Sequence, residues 1–366
     1  MSFKILNKDK KTKARSGELK TTHGTLSTPF FMPVVTKGAG KYLTFKNLEE
    51  VGTKVFISNG YLLSLRPGLD VFEKTGGYHK FINWNKPIFT DSGGFQLKDP
   101  QFFISLDKKG VWFRNPFSKE KVFMSPEKLI ETQNKIGSDI AMILDDMIDA
   151  NKPKEDYKVA VDITIDWAKR AVIAHKNKKQ LLFGIVQGGT YKDLREKCAK
   201  AINSLPFDGV AIGGLALGES KDKMYKAIDY SLSHLSENKI KYLMGVGSPE
   251  DVVKCIGKGV DCFDSIYPTK MARHGVLFTR DGQVNITKGI NKYNFNKLEK
   301  ECDCYACKNH TIAYLHHLYR LDEPNYKILA STHNIRFMQR LVEDARLAIK
   351  KGKYKEFQDE FIKKWE

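Results

Sequence analysis

The chain has 366 residues, 41% hydrophobic and 28% charged, with 61 Lys and Arg against 43 Asp and Glu for a formal net charge of +18. Such a composition builds an ordinary globular core and excludes a disordered chain, and no apolar run approaches the roughly 18–20 residues that a bilayer crossing requires. The basic N-terminal stretch has no apolar segment and no small-residue cleavage site, so a secretory signal is excluded and a cytoplasmic location is expected. The excess of positive charge fits either a lysine-rich composition spread over many helices or a polyanionic partner.

In chain order, short apolar runs recur, each followed by a loop and a helical pattern. The expected strands are Phe30–Val35, Lys54–Ser58, Pro87–Thr90, Ile140–Leu144, Leu181–Val186, Gly209–Ile212, Lys241–Met244 and Val260–Phe263. Expected helices between them include Pro126–Ile136, Lys158–Lys176, Tyr191–Asn203, Lys223–Leu235 and Pro249–Gly257. Strands that alternate with helices pair in parallel, and near-continuous apolar strands are buried on both faces. Eight such units predict an α/β fold, a closed (β/α)₈ TIM barrel, with a doubly wound open sheet as the alternative.

Three segments fall outside the repeat. Phe3–Ser27 reads as a hairpin pair, and within Lys98–Met124 the turn Asp107-Lys108-Lys109-Gly110 joins two strand-like runs. The stretch from Arg273 onward carries a cysteine cluster and closes with amphipathic helices over Ile335–Glu366. Residues 1–272 are therefore expected to form the decorated barrel, and 273–366 a zinc-binding subdomain with helices packed on it.

Cys198, Cys255 and Cys262 stand alone among apolar neighbours and read as buried free thiols. Cys302, Cys304 and Cys307 place three thiols within six residues, a spacing that in a cytosolic protein points to metal rather than to disulfides. A closed tetrahedral site needs a fourth ligand. His310 follows the last cysteine too closely for a comfortable chelate, and His316 and His317 lie in an apolar helical pattern as packing residues. His333, read as opening a helix after Ser331-Thr332, is the preferred ligand. One structural Zn²⁺ is expected, since four protein ligands leave no position for water.

In a barrel of this class the chemistry sits at the C-terminal ends of the strands. Here those ends turn polar or glycine-rich: Thr90-Asp91-Ser92-Gly93-Gly94-Phe95-Gln96, Leu144-Asp145-Asp146, Val186-Gln187-Gly188-Gly189, Ile212-Gly213-Gly214-Leu215, Met244-Gly245-Val246-Gly247 and Phe263-Asp264-Ser265. Any one of them is ordinary turn or helix-cap chemistry. Together they converge on one mouth. Asp91 and Asp264 suit substitution at an anomeric carbon, where one carboxylate attacks and the other handles protons. Asp145 and Gln187 suit the hydrogen-bonding edge of a purine, and the N–H groups of Gly213 and Gly214 suit a carbonyl oxygen. Phe95 and Met244 suit the two faces of a flat ring.

These strings, together with Phe31-Met32-Pro33-Val34, Gly218-Glu219, Pro268-Thr269 and the Cys302, Cys304, Cys307, His333 quartet, resemble the tRNA-guanine transglycosylases, also called queuine tRNA-ribosyltransferases. The resemblance runs in order from about Phe31 to His333. It implies exchange of guanine 34, in the wobble position of GUN-anticodon tRNAs, for a free 7-deazaguanine base. Asp264 is then the nucleophile that forms a covalent enzyme–tRNA intermediate at ribose C1′, and Asp91 the general acid/base. Ser92, Gly93, Gly94, Phe95, Asp145, Gln187, Gly213, Gly214, Leu215 and Met244 make up the base-binding set. Gly245, Val246, Gly247, Ser248, Pro249, Glu250 and Asp251, with Thr269, Lys270, Met271, Ala272 and Arg273, correspond to contacts with the anticodon loop. The family usually works as a homodimer, and its substrate must flip a nucleotide out of the stack to reach such a pocket.

Some positions depart from the bacterial pattern. Asp146 and Met147 follow Asp145 in place of Glu and Cys, Ser265 replaces Cys and Lys270 replaces Arg, and Asn59-Gly60-Tyr61-Leu62 differs from Asn-Thr-x-His, whereas Leu217 departs from the eukaryotic pattern, being bulky where that enzyme carries a small glycine. The incoming base is left open between preQ1 and queuine. Two other readings compete: a barrel glycosidase using the same two acids, and a non-catalytic tRNA-binding subunit of a heterodimeric transglycosylase. The acidic pair argues against the second, and the glycine-lined slot and basic charge against the first.

Overall fold

The computed structural model of the chain describes residues 2–93, 100–150 and 152–365. Strands β1 (Phe3–Lys8), β2 (Arg15–Thr21) and β3 (Gly24–Thr28) form an antiparallel sheet of three, which is what two successive hairpins make. The chain then enters the barrel through β4 (Phe30–Met32), β5 (Phe56–Asn59) and β6 (Ile88–Asp91). An excursion follows, built from β7 (Phe103–Asp107), β8 (Gly110–Arg114) and β9 (Lys121–Met124). The barrel resumes with β10 (Ile140–Met142), β11 (Leu181–Val186), β12 (Gly209–Ile212), β13 (Ile240–Leu243) and β14 (Cys262–Asp264).

The eight barrel strands are all parallel, in the order β4-β14-β13-β12-β11-β10-β6-β5. The ring closes between its first two members: Val35 N–H donates to the Ile57 carbonyl at 2.8 Å and Ile57 N–H to that of Pro33 at 3.1 Å. Every strand expected from the sequence is present, and the open-sheet alternative is excluded by that closure. The first strand is shorter than expected, because after Met32 the chain meets β5 through this isolated bridge and one further bond, from Asn59 N–H to the Thr36 carbonyl at 3.2 Å.

Helices Pro126–Ile136, Lys154–Ala174, Lys192–Ser204, Lys221–Leu232 and Pro249–Gly257 surround the ring. The first shows why the sequence signals worked: Ser125 caps it, Pro126 opens it, and Gly137 ends it in the left-handed region. Phe30, Phe89, Phe183 and Tyr242 pack ring against ring inside the barrel, with centroids 5.6–6.2 Å apart. Gly209 makes room for this layer, since a Cβ there would sit 2.4 Å from the Phe183 ring.

The N-terminal end of the barrel is sealed by polar pins. Arg15, from β2, donates Nε and Nη2 to the two oxygens of buried Asp261 at 2.8 and 2.6 Å. Asp139, just before β10, accepts from the backbone N–H groups of His23 and Ile88 and contacts the imidazoles of His23 and His79. Those two rings are stacked 3.7 Å apart. Parallel stacked rings cannot both aim an in-plane lone pair at one ion, so this trio is a hydrogen-bonded pin rather than a ligand set. In the excursion, Asp107 Oδ1 accepts from the N–H groups of Lys109 and Gly110, forming the expected turn, and Trp167 Nε1 donates to the Lys108 carbonyl at 2.9 Å.

Beyond β14 come helix Tyr267–Arg273, the hairpin β15 (Val276–Thr279) and β16 (Gly282–Asn285), and helices Tyr305–Asn309, Ile312–Arg320, Pro324–Lys350 and Tyr354–Trp365. The 27-residue helix Pro324–Lys350 starts well before the expected Ile335 and does not begin at His333. Ser331 and Thr332 look like a cap in sequence but are buried mid-helix; Pro324 is the true first residue. Along this helix Ile335, Met338 and Val342 join the barrel core, while Leu329 and Ala330 join a second core that contains the three clustered cysteines. Among the described residues no helix is long and apolar enough to cross a membrane.

Candidate active site and metal centre

Strand ends in a parallel barrel point their last side chains into a common mouth. Asp91, Ser92, Gly93, Asp145, Gln187, Gly213, Gly214, Leu215, Met244, Gly245 and Asp264 line one cavity of about 360 Å³ there. Asp91 ends β6 and Asp264 ends β14, three places apart around the ring through β4 and β5.

The two carboxyls differ in their surroundings. Asp264 Oδ1 accepts the Tyr242 hydroxyl at 2.6 Å and the Gly245 N–H at 2.9 Å. Burial pushes its pKa up, and these two donors oppose the rise by stabilising the anion. Among the described residues Asp91 has a single donor, Gly93 N–H at 3.1 Å. Burial, followed by the nearby charge of Asp264, pushes its pKa up to about 8. At neutral pH the pair therefore holds a protonated Asp91 opposite an Asp264 whose ionised form is better supported, the separation that acid and nucleophile roles require.

Between them lies a polar edge. Gln187 Nε2 donates to Asp145 Oδ2 at 2.6 Å, and Ser92 Oγ to Asp145 Oδ1 at 3.2 Å. Gly214 has φ of +65°, and a Cβ there would fall 2.2 Å from Gln187 Oε1, so only glycine lets the backbone approach this amide. Met244 borders the slot, its sulfur 3.6 Å from where a Cβ on Gly213 would sit. Gly94 and Phe95 lie outside the described residues.

The segments expected to meet RNA are placed unevenly. Gly245 is exposed and Glu250 half-buried, whereas Val246, Gly247, Ser248, Pro249 and Asp251 are buried at the start of helix Pro249–Gly257. Ser248 caps that helix, its Oγ accepting the Asp251 N–H at 3.3 Å while its hydroxyl donates to Asp251 Oδ2 at 2.5 Å. In helix Tyr267–Arg273, Lys270 is exposed, Thr269, Met271 and Arg273 are half-buried, and Ala272 is buried. Arg273 lines a cleft with Lys41, Tyr42, His274, Arg320 and Lys327, beside the acidic Asp322.

Cys302, Cys304, Cys307 and His333 converge, all buried. The sulfurs lie 3.7, 3.5 and 3.3 Å from His333 Nδ1. A tetrahedral ion with bonds of about 2.3 Å to sulfur and about 2.05 Å to nitrogen demands S···N edges of about 3.6 Å, so the four atoms fit one ion. His333 Nε2 donates to the Phe278 carbonyl at 2.7 Å, which leaves Nδ1 to face the sulfurs. The set belongs to the second core, not to the mouth, and its thiolate-rich chemistry suits zinc. Of the other histidines, His316 is buried against the Ile286 carbonyl as a packing residue, but His317 faces solvent, on the outer side of its helix. Cys198, Cys255 and Cys262 are buried free thiols, as expected.

Tyr242 falls in the expected strand Lys241–Met244 and in the string Tyr242–Gly247 that carries the resemblance, but sequence reasoning gives it no role. The available signal was a tyrosine two positions before Met244, hence on the same inward face, with a hydroxyl that must find a partner when buried. It also passed over Arg195, which lies on helix Lys192–Ser204 and has no local pattern to distinguish it from a surface cation.

The comparisons with known proteins bear on this site as a whole. Residues 9–366 match the family model described as queuine tRNA-ribosyltransferase. The chain is 45% identical over 366 residues to a queuine tRNA-ribosyltransferase of Caldanaerobacter subterraneus subsp. tengcongensis, covering 100% of this chain and 98% of that protein. It is 45% identical over 365 residues to one of Dictyoglomus turgidum, covering 99% and 94%, and 43% identical over 364 residues to one of Enterococcus faecalis, covering 99% and 96%. With a match of this length and a barrel mouth that gathers the acids and the polar slot, the chain belongs to the queuine tRNA-ribosyltransferase family.

Proposed function

We propose that the protein is a pentosyltransferase that replaces guanine 34 of GUN-anticodon tRNAs with a free 7-deazaguanine, preQ1 or queuine, by double displacement. The observation that carries this reading is the pair Asp91 and Asp264, differently supported, on the wall of one cavity with the Asp145–Gln187 edge. Asp264 Oδ2 bonds to ribose C1′ as the C1′–N9 bond breaks, and the bonding pair leaves with the purine. Asp91 delivers a proton to that purine. In the second half the incoming base gives a proton back to Asp91, attacks C1′ and releases Asp264, so two inversions retain configuration.

Asp145 and Gln187 bind the donor and acceptor edge of the base, the N–H groups around Gly213 and Gly214 take its carbonyl oxygen, and Met244 covers one face. Ser92 and Gly93, with Gly94 and Phe95, complete the base-binding set. Met147 and Leu217 line the same cavity and bound the space beside the base, so they bear on the choice between preQ1 and queuine. The cleft around Arg273, together with Lys270 and the exposed Gly245, suits the phosphates of an anticodon loop, which agrees with the net charge of +18. The runs Gly245–Asp251 and Thr269–Arg273 are proposed to frame this RNA contact, the buried members by holding the helix starts in place. Zinc held by Cys302, Cys304, Cys307 and His333 would cross-link the second core and take no part in the chemistry. A second copy of the chain is proposed as partner, in keeping with exposed Tyr305 and Tyr314 on the zinc module. Residues 273–366 are proposed as a subdomain docked on the barrel of 1–272, and the protein as cytoplasmic.

The test is base exchange on purified tRNA bearing a GUN anticodon, with labelled guanine, preQ1 and queuine offered in parallel. Incorporation at position 34 is expected. No incorporation of any of the three, with intact folded protein, overturns the reading and favours the non-catalytic subunit instead.

A further inference from the structure

We propose that Arg195 is a positioning residue for base recognition, acting through the peptide that joins Gly214 to Leu215; the inference rests on the function proposed above. Arg195 is fully buried on helix Lys192–Ser204. Its Nε donates to the Gly189 carbonyl at 2.6 Å, Nη1 to that of Val186 at 3.0 Å, and Nη2 to that of Gly214 at 3.3 Å. Among the described residues no carboxylate lies in salt-bridge contact with it, and Glu219 acts on it only through space. A buried cation without a contacting counter-ion is unfavourable, and it persists where its donors hold backbone carbonyls in a required orientation. Burial lowers the guanidinium to about 10, which leaves it charged at neutral pH.

The three carbonyls lie at the end of β11 and in the loops after β11 and β12. Val186 and Gly189 bracket Gln187, the side chain that bonds Asp145, so the guanidinium clasps the backbone on both sides of the polar edge. Gly189 and Gly214 have φ of +57° and +65°, conformations in which a carbonyl needs something to hold its direction. In a planar trans peptide the C=O and the N–H point opposite ways. A Gly214 carbonyl turned toward Arg195 therefore turns the Leu215 N–H toward the cavity that Leu215 lines. A positive charge on the carbonyl side also polarises that N–H into a stronger donor. The acceptor that fits it is the carbonyl oxygen of a guanine or deazaguanine. A lysine ammonium cannot span three carbonyls in this planar fork.

The experiment compares wild type with Arg195→Lys and Arg195→Gln as full-length protein. Readouts are the KM for guanine, the KM for tRNA, the melting temperature, and inhibition by 2-aminopurine, which lacks the carbonyl oxygen. The expected result for Arg195→Lys is a guanine KM raised roughly tenfold, about one hydrogen bond's contribution, with the tRNA KM within about twofold of wild type. Its preference for guanine over 2-aminopurine should shrink by a similar factor. A folded Arg195→Lys that keeps both the guanine KM and that preference overturns the proposal. So does an equal rise in both KM values, which marks general loosening, or failure of both variants to fold, which marks a structural role alone. A wild type that incorporates no guanine overturns the proposed function, and this inference with it.

Discussion

Tyr242 donates its buried hydroxyl to Oδ1 of Asp264 at 2.6 Å, on the same oxygen that receives the Gly245 N–H. The other oxygen, Oδ2, accepts no hydrogen bond among the described residues, so the carboxylate is held by one atom and offers the other. Burial and the charge of Asp264 keep the Tyr242 phenol protonated, hence always a donor. In the proposed reaction, a nucleophile fixed this way loses little freedom on reaching C1′.

Replacing Asp264 with Ala should abolish the denaturant-resistant adduct with tRNA. Tyr242→Phe should keep the ring packing against Phe89 and slow adduct formation by roughly 10–100-fold, somewhat below the loss of a donor aimed at transition-state charge. It should also move the low-pH limb of the rate profile upward, because the lost hydrogen bond favoured the anion and the nucleophile must be ionised to attack. Rapid-quench adduct assays across pH decide this; an unmoved limb would deny Tyr242 its positioning role.

Asp91, with a pKa pushed up to about 8, is protonated and able to act as an acid at neutral pH. Guanine exchange should decline as pH rises through about 8, and Asp91→Asn should slow exchange by roughly 10²–10⁴. The stability consequence runs in the same direction. A raised folded-state pKa means stability is fully present below the ordinary carboxyl value of 3.8 and lost as pH rises toward about 8. Asp91→Asn should therefore melt higher than wild type at pH 8–9, by roughly 1–3 °C, with the difference vanishing near pH 3–4. Equal melting temperatures at both ends would show that Asp91 is not held against its solvation.

The cysteine cluster predicts one zinc per chain by elemental analysis. Cys304→Ser should reduce both zinc content and folded yield, and a strong chelator should lower the melting temperature of the wild type. A zinc-free variant that melts like the wild type would remove the structural role.

Arg15 and Asp261 are 4% and 0% exposed and joined by two short bonds. Arg15→Ala leaves a buried carboxylate with, among the described residues, only the Lys241 N–H, and should cost about 3–5 kcal/mol in urea unfolding. Arg15→Met combined with Asp261→Leu should recover a good part of that loss, since both charges are then gone. A double variant as unstable as Arg15→Ala would point to lost packing instead.

The strand and helix order, the barrel, the clustering of three cysteines with His333 and the polar character of each strand end were legible in the sequence, because each rests on short-range regularities. Buried strands are apolar runs, Ser125, Pro126 and Gly137 mark a helix that matches its expected bounds, and three cysteines in six residues announce a chelate. Where local signals competed, they misled: Ser331-Thr332 read as a helix cap, yet burial against two cores carries the helix straight through them.

What only the tertiary structure decided is which polar groups meet. The Val35–Ile57 bridge that closes the ring, the Tyr242 hydroxyl on Asp264, the Arg15 fork on Asp261 and the Arg195 clasp over two loops all join residues that no local pattern pairs. A buried donor must find an acceptor wherever the fold brings one, and that choice belongs to the three-dimensional path of the chain.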